Sequence, residues 1–217
     1  MITEIKQEPI AEQVADFIRK EIENGSLRAG EKITENDLCS RLNVSRTPVR
    51  EALRVLQTEG YISHKPRFGV YVTELSVQDV YDCWEVRSYL ESMVARKTAL
   101  NCDARVKMAI RRELQKIGSA IENDELREEE YRALDETYYS IHISNCGNKK
   151  LEEVARSLRI NSSLMCGKPK YSMDRAKDAL REIANIYSAY LENNAEKAAE
   201  CNDIHFTESL KDITRYL

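Results

Sequence analysis

Chain breakers are distributed unevenly along these 217 residues. Gly25, Gly30, Gly60 and Gly69, with Pro9, Pro48 and Pro66, crowd the first seventy residues. Only Gly118, Gly147, Gly167 and Pro169 interrupt the remainder. Glycine and proline are the costliest residues inside a helix, so the later region is suited to long helices and the earlier one must contain tight turns. Two parts are expected: a small mixed domain over residues 1–74 and an all-helical domain over 75–217. Apolar residues make up 42% of the chain, enough to fill real cores. No apolar run approaches the roughly 20 residues that span a bilayer. The start, MITEIKQEPI, lacks the basic and apolar pattern of a secretion signal. Cys39, Cys83, Cys102, Cys146, Cys166 and Cys201 are scattered without a C-x-x-C pair and read as reduced thiols of a cytoplasmic protein.

The net charge of −4 conceals a local excess. From Arg41 to Arg67, six cations (Arg41, Arg46, Arg50, Arg54, Lys65, Arg67) face only Glu51 and Glu59, a net of four positive charges. A short basic stretch on an acidic body fits a module that meets phosphates, attached to one that avoids them.

Within residues 1–74, Ile10, Val14, Phe17, Ile18 and Ile22 recur at helical spacing, and Gly25 supplies a left-handed stop. After the turn SLRAGEKI, Thr34 is placed to cap a short helix, with Asp37 three residues on and Leu38 and Leu42 facing inward. Asn43-Val44 makes a tight turn, and Ser45 caps the next helix, TPVREALRVLQTEG. Pro48 fits the first turn of that helix, where N–H groups have no intrahelical partner. Val49, Leu53 and Leu56 form the buried stripe, leaving Ser45, Arg46, Thr47 and Arg50 clustered on the outer N-terminal turns. That is where a recognition helix presents side chains to base edges. Arginine can hold guanine O6 and N7 with two parallel bonds, while hydroxyls and free N–H groups take phosphates. Beyond Gly60 the period changes to alternation. Tyr61–Ser63 and Val70–Val72 read as two strands around a turn containing Gly69, a wing whose basic tip carries Lys65 and Arg67.

The run GSLRAGEKITENDLCSRLNVSRTPVREALRVLQTEGYI resembles the DNA-binding signature of the GntR regulators, with a likeness that covers residues 10–73. The resemblance implies that Arg46, Thr47, Arg50 and Gly69 approach an operator. Asn36 stands where the family often has a DNA-contacting arginine, so it keeps base-reading capacity and loses charge.

From Ser76 the pattern predicts six helices, near 77–100, 104–122, 127–145, 149–165, 173–193 and 195–215, with Ser76 and Asp103 as N-caps. Breaks are expected at Asn101, Asn123-Asp124, Cys146-Gly147 and Gly167-Lys168-Pro169. No strand pattern or phosphate loop appears. The fold class is therefore mainly α: a winged helix-turn-helix of three helices and a hairpin, then an all-α bundle.

This second region resembles the FCD sensor domain found in the FadR branch of the same regulators, through WEVRSYLE at 84–91, LDETYYSIHISNCGN at 134–148 and AEKAAECNDIH at 195–205. Many such domains hold a divalent metal through one aspartate and three histidines. Carried over, those positions are Asp135, Tyr139, Ile183 and His205. Isoleucine has no donor, and a neutral phenol is a poor ligand beside imidazole. His142 shares a helical stripe with Asp135 and Tyr139, so an alternative set is Asp135, His142 and His205. A lone histidine on a half-apolar face is more often a hydrogen-bonded core residue. The expected site is thus a metal-free effector pocket lined by Arg87, Asp135, Tyr139, His142, Ile183 and His205, with no cofactor. Arg87 either clamps a carboxylate or a phosphate, or pairs with Glu91 one turn away, and the related sensors suggest an organic acid as effector.

Three functions compete. An enzyme built on Asp135 and His205 lacks any nucleophile–base spacing or cofactor fingerprint. An architectural DNA binder has no use for the acidic helical region. The reading adopted is a non-enzymatic, sequence-specific regulator of double-stranded DNA. It is expected to act as a homodimer on a pseudo-palindromic operator, away from membranes, under control of a small-molecule effector.

Overall fold

The computed structural model describes residues 9–123, 126–166 and 172–214. The described residues form two compact units, 9–80 with 159–166 and 81–158 with 172–214.

In the first unit, α1 (Ile10–Glu23) buries Val14, Ala15, Ile18 and Ile22. Ile10, expected on that stripe, is exposed because it sits in the opening turn, and Phe17 is only half-buried. Gly25 takes φ 76°, and its N–H donates to the Ile22 carbonyl at 3.0 Å, which stops the helix as expected. In α2 (Glu35–Leu42) the Thr34 hydroxyl accepts from the Asp37 N–H, and Asn43 ends the helix in a left-handed conformation at φ 52°. In α3 (Arg46–Glu59) Val49, Ala52, Leu53 and Leu56 are buried. Ser45 occupies the cap position of α3, but its hydroxyl makes no capping bond, contrary to the sequence expectation.

The wing is a three-stranded antiparallel sheet with β3 at its centre. β1 (Lys32–Ile33) and β2 (Ile62–Lys65) flank β3 (Gly69–Val72), with Lys32 opposite Tyr71 and Lys65 opposite Gly69. Sequence patterning predicts two strands and misses β1, because two residues carry no detectable alternation. Backbone bonds from Gly30 N–H to the Val72 carbonyl and from Val72 N–H to the Glu31 carbonyl hold that edge. One core of Val14, Ile18, Leu38, Val49, Leu56, Tyr61, Ile62 and Val72 joins these elements.

The second region is all α: α4 (Val77–Leu100), α5 (Ala104–Glu122), α6 (Glu128–Ser144), α7 (Lys149–Cys166), α8 (Met173–Leu191) and α9 (Ala195–Thr214). Their limits match the helical periodicity within a residue or two. At the start of α4, the Ser76 hydroxyl accepts from the Asp79 N–H at 3.2 Å while the Asp79 carboxylate accepts from the Ser76 N–H at 2.8 Å. The Ser76 hydroxyl also donates to the Asp79 carboxylate at 2.6 Å, and that bond first, then the one from the Ser76 N–H, holds the Asp79 carboxyl below the usual range. The Asp103 carboxylate caps α5 through the Val106 N–H at 2.8 Å. The expected break at Gly167-Lys168-Pro169 lies outside the described residues.

Helix α6 faces two cores. Its Tyr131, Leu134 and Tyr138 join the main cluster with Ile110, Ile117, Leu180, Ile183, Ile186, Tyr187 and Tyr190. Its Tyr139 and Ile143 join a second cluster with Val94, Cys146, Leu151 and Ala155.

Candidate DNA interface and core polar site

The N-terminus of α3 is an open surface. Ser45, Arg46, Thr47 and Arg50 are all exposed, while Val49 between them is fully buried and anchors the helix. With the Ser45 hydroxyl disengaged and Pro48 lacking an N–H, the N–H groups of Arg46 and Thr47 are left at the positive end of the helix. Both guanidinium groups are pre-aimed from α2. Arg46 Nη2 donates to Asn36 Oδ1 at 3.2 Å, and Arg50 Nε donates to Glu35 Oε1 and Oε2 at 3.0 and 2.9 Å. Glu35, which the sequence did not single out, therefore raises the Arg50 pKa still further through that hydrogen bond. Arg41 is engaged with Glu21 at 2.7 Å, so it contributes less free charge than the local count suggests.

Lys65 and Arg67 are exposed on the wing, and Gly69 takes φ 111°. A Cβ at Gly69 would sit 3.3 Å from Lys32 Cε, so the glycine leaves room for the Lys32 side chain of β1 against β3. Lys65 and Lys32 Nζ lie 4.8 and 5.9 Å from the Tyr71 ring. Lys32 joins the wing surface only through β1, which sequence patterning does not show, and packs there over Tyr71 of an expected strand.

In the bundle, the candidate residues fall into separate arrangements. Arg87 donates to Glu91 Oε1 at 3.2 Å, and its guanidinium lies 5.1 Å from the Trp84 ring and 4.9 Å from that of Phe206. Glu91 Oε2 lies 3.0 Å from His142 Nε2, and His142 Nδ1 meets the Tyr190 hydroxyl. A carboxylate only accepts, so Nε2 carries the proton and Nδ1 is left to accept from Tyr190. Burial pushes the Glu91 carboxyl upward, but the bonds from His142 and Arg87 overcome this and hold it below the usual carboxylate range. His205 Nδ1 donates to Glu182 Oε2 at 2.7 Å, and Arg175 holds both Glu182 and Asp212.

Tyr139 does not join the expected pocket: its hydroxyl donates to the Ala155 carbonyl of α7 at 3.0 Å. Its neighbour Tyr138 lies among the other candidate residues instead, with its ring 5.3 Å from that of His142, 5.7 Å from Tyr187 and 6.0 Å from His205. The Tyr138 hydroxyl donates to Asn202 Oδ1 at 3.4 Å. Tyr187 Oη and Asn202 Nδ2 are fully buried and have no hydrogen-bond partner among the described residues. Burial first, and then the Glu113 and Asp135 carboxylates, push the Tyr187 hydroxyl well above its ordinary pKa, so it stays neutral.

The donor set does not suit the metal implied by the FCD resemblance. Ile183 has no lone pair, Tyr139 faces another cluster, and both nitrogens of His142 are engaged. The alternative set of Asp135, His142 and His205 fails on the same ground. Among the described residues, no group of three or more His, Cys, Asp or Glu side chains is arranged to hold a metal ion.

A winged helix-turn-helix with an exposed, cationic recognition helix, followed along the chain by an all-α domain with a polar core, defines a DNA-binding transcriptional regulator. Residues 10–72 match the bacterial regulatory proteins of the gntR family, and residues 82–208 match the FCD domain. The chain belongs to the GntR family and carries its FCD domain. It is 26% identical over 214 residues to the HTH-type transcriptional regulator YdhC of Bacillus subtilis, covering 98% of this chain and 94% of that protein. It is 28% identical over 141 residues to the HTH-type transcriptional repressor RspR of Escherichia coli, covering 64% of this chain and 61% of RspR. The solved structure of E. coli McbR/YncC shares the fold with a TM-score of 0.82 over 97% of this chain and 99% of that one, at 17% identity. No described helix is long and apolar enough to cross a membrane.

Proposed function

We propose that this regulator reads a pseudo-palindromic operator as a cytoplasmic homodimer and that a small molecule bound in its helical domain sets operator affinity, without enzymatic turnover. The observation that carries the reading is the uncapped N-terminus of α3, from which Arg46 and Arg50 project at the surface. In this reading Ser45, Arg46, Thr47 and Arg50 enter the major groove, with Asn36 holding Arg46. Lys65, Arg67 and Gly69 bring the wing to the backbone or the minor groove.

One such module spans too few base pairs for genomic specificity, so a second copy is needed. An unpartnered stripe on α4 offers it a seat: Val86, Tyr89, Met93 and Leu100, three, four and seven residues apart, are exposed, Tyr89 at 75%. Effector binding changes operator affinity by favouring one arrangement of the dimer over another. The buried Tyr187 hydroxyl and Asn202 amide are suited to receive a polar effector, with Tyr138 between them, His142 and His205 against the Tyr138 ring, Ile183 one turn from Tyr187, and the half-buried Asp135 near enough to act on Tyr187. An organic acid would take Arg87 over from Glu91, exchanging one carboxylate for another.

The test selects duplexes from a random pool with the full chain, then titrates wild type, Arg46→Ala and Arg50→Ala against the winner. Both variants should lose specific binding while helical content is unchanged; tight specific binding by either would remove it from the interface. A thermal-shift screen of organic acids beside their uncharged hydroxylated counterparts tests the effector class, since a native-state ligand raises the melting temperature.

A further inference from the structure

Pro66, Arg67 and Phe68 close the β2–β3 hairpin between the paired residues Lys65 and Gly69. The Phe68 N–H donates to the Lys65 carbonyl at 3.0 Å, so residues 65–68 form a β-turn with proline second and Arg67 third. Arg67 takes φ 67°, the left-handed region where a turn of this kind normally places glycine or asparagine. An arginine there keeps strain that glycine would relieve, and strain of this sort marks positions with a use. The tip is also braced from behind, because the Tyr71 hydroxyl donates to the Phe68 carbonyl at 3.3 Å. On this rigid support the Phe68 side chain is 67% exposed at the outermost turn of the wing. It projects beside Arg67 and Lys65, with Lys32 on the neighbouring strand. An aromatic ring held out among cations suits a surface that is both anionic and apolar within its walls, which describes a DNA groove lined by deoxyribose.

We propose that Phe68 is a minor-groove contact that reads the deformability of the operator flank. The ring presses as an apolar wedge against sugars and one base step, while Arg67 beside it answers the negative potential of the groove. Flexible pyrimidine–purine steps yield to such a wedge at lower cost than a stiff A-tract. The wedge therefore confers sequence preference at positions where no hydrogen bond is made to a base. The proposal rests on α3 being the major-groove reader.

The experiment uses the full chain and the selected duplex, with binding measured across a salt series for wild type, Phe68→Ala, Arg67→Gly and Arg50→Ala. Phe68→Ala should weaken binding about tenfold, the scale of one lost aromatic contact to nucleic acid. The slope of log affinity against log salt should not change, because the ring neutralises no phosphate. Replacing the flexible flanking step by an A-tract should weaken wild type and leave Phe68→Ala indifferent. Arg67→Gly relaxes the turn and should reduce the salt slope by about one per wing. Wild-type affinity in Phe68→Ala, or a loss that is equal on every flank, overturns the wedge. If Arg50→Ala also binds as wild type, the recognition-helix reading falls first; if only Phe68→Ala is silent, the wedge alone falls.

Discussion

Arg50 on α3 donates through Nε to both carboxylate oxygens of Glu35 on α2, at 3.0 and 2.9 Å. The pair lies at the surface, with Arg50 58% and Glu35 35% exposed, so its worth to stability is small. If Arg50 meets DNA as proposed, the pair aims the guanidinium and disfavours non-specific contact, because a phosphate must compete with Glu35 for the same group.

Glu35→Gln should therefore leave thermal stability almost unchanged while raising affinity for random duplex several-fold, which shrinks the ratio of specific to random binding. The salt dependence should steepen by about one phosphate equivalent. Titrations on selected and random duplexes at two salt concentrations check this, and equal random-duplex affinity would show the pair to be a passive bridge.

The buried chain Arg87–Glu91–His142 links α4 to α6. Glu91→Gln removes the buried carboxylate that Arg87 and His142 share, a loss of about 3–5 kcal/mol by the usual cost of breaking a buried pair. The folded pKa of Glu91 is depressed, so its contribution is complete above the unfolded value of about 4.3 and disappears as pH falls through the lower folded value. Denaturant titrations should show a large gap between wild type and Glu91→Gln at pH 7 that closes only in acid below that range. A gap constant from neutral pH to pH 2 would contradict this assignment.

Tyr187 and Tyr190 lie one turn apart on α8 with opposite prospects. The Tyr187 hydroxyl has no partner among the described residues, whereas that of Tyr190 meets His142. Tyr187→Phe should leave stability equal or raise it by up to about 1 kcal/mol, because a buried unsatisfied group is removed. Tyr190→Phe should lower it by about 1–3 kcal/mol by stranding the imidazole nitrogen. Urea unfolding of both variants decides the matter, and equal losses would mean that Tyr187 is bonded after all.

If the α4 stripe seats a second copy, Tyr89→Arg with Met93→Arg should convert the dimer to monomer in sedimentation equilibrium. Affinity for the full operator should collapse while a half-site is bound nearly as before. A dimer that survives both charges would move the interface elsewhere.

Most of the helices could be read from the sequence because their signals are local. Thr34, Ser76 and Asp103 cap through residues three places along, and the apolar period marks each inner face. β1 escaped because its evidence lies in Tyr71 and Val70, far along the chain. Glu35 escaped for the same reason: its partner Arg50 belongs to the next helix. In the bundle, Arg87, His142, Ile183 and His205 are buried. The choice between Tyr138 and Tyr139 was not legible. Two identical side chains about 100° apart on a helix differ only in what faces them, and the Ala155 carbonyl and the Asn202 amide that sort them come from other helices.

That sorting gives α6 teeth on two sides, like a key. With Tyr138 latched to α9 and Tyr139 to α7, rolling the helix in either direction loosens both latches together, so intermediate angles have little to recommend them. If a ligand binds in the bundle as proposed and shifts Tyr138, the body of the helix would carry that shift to the bond between Tyr139 and Ala155, with no wire of side chains between the two.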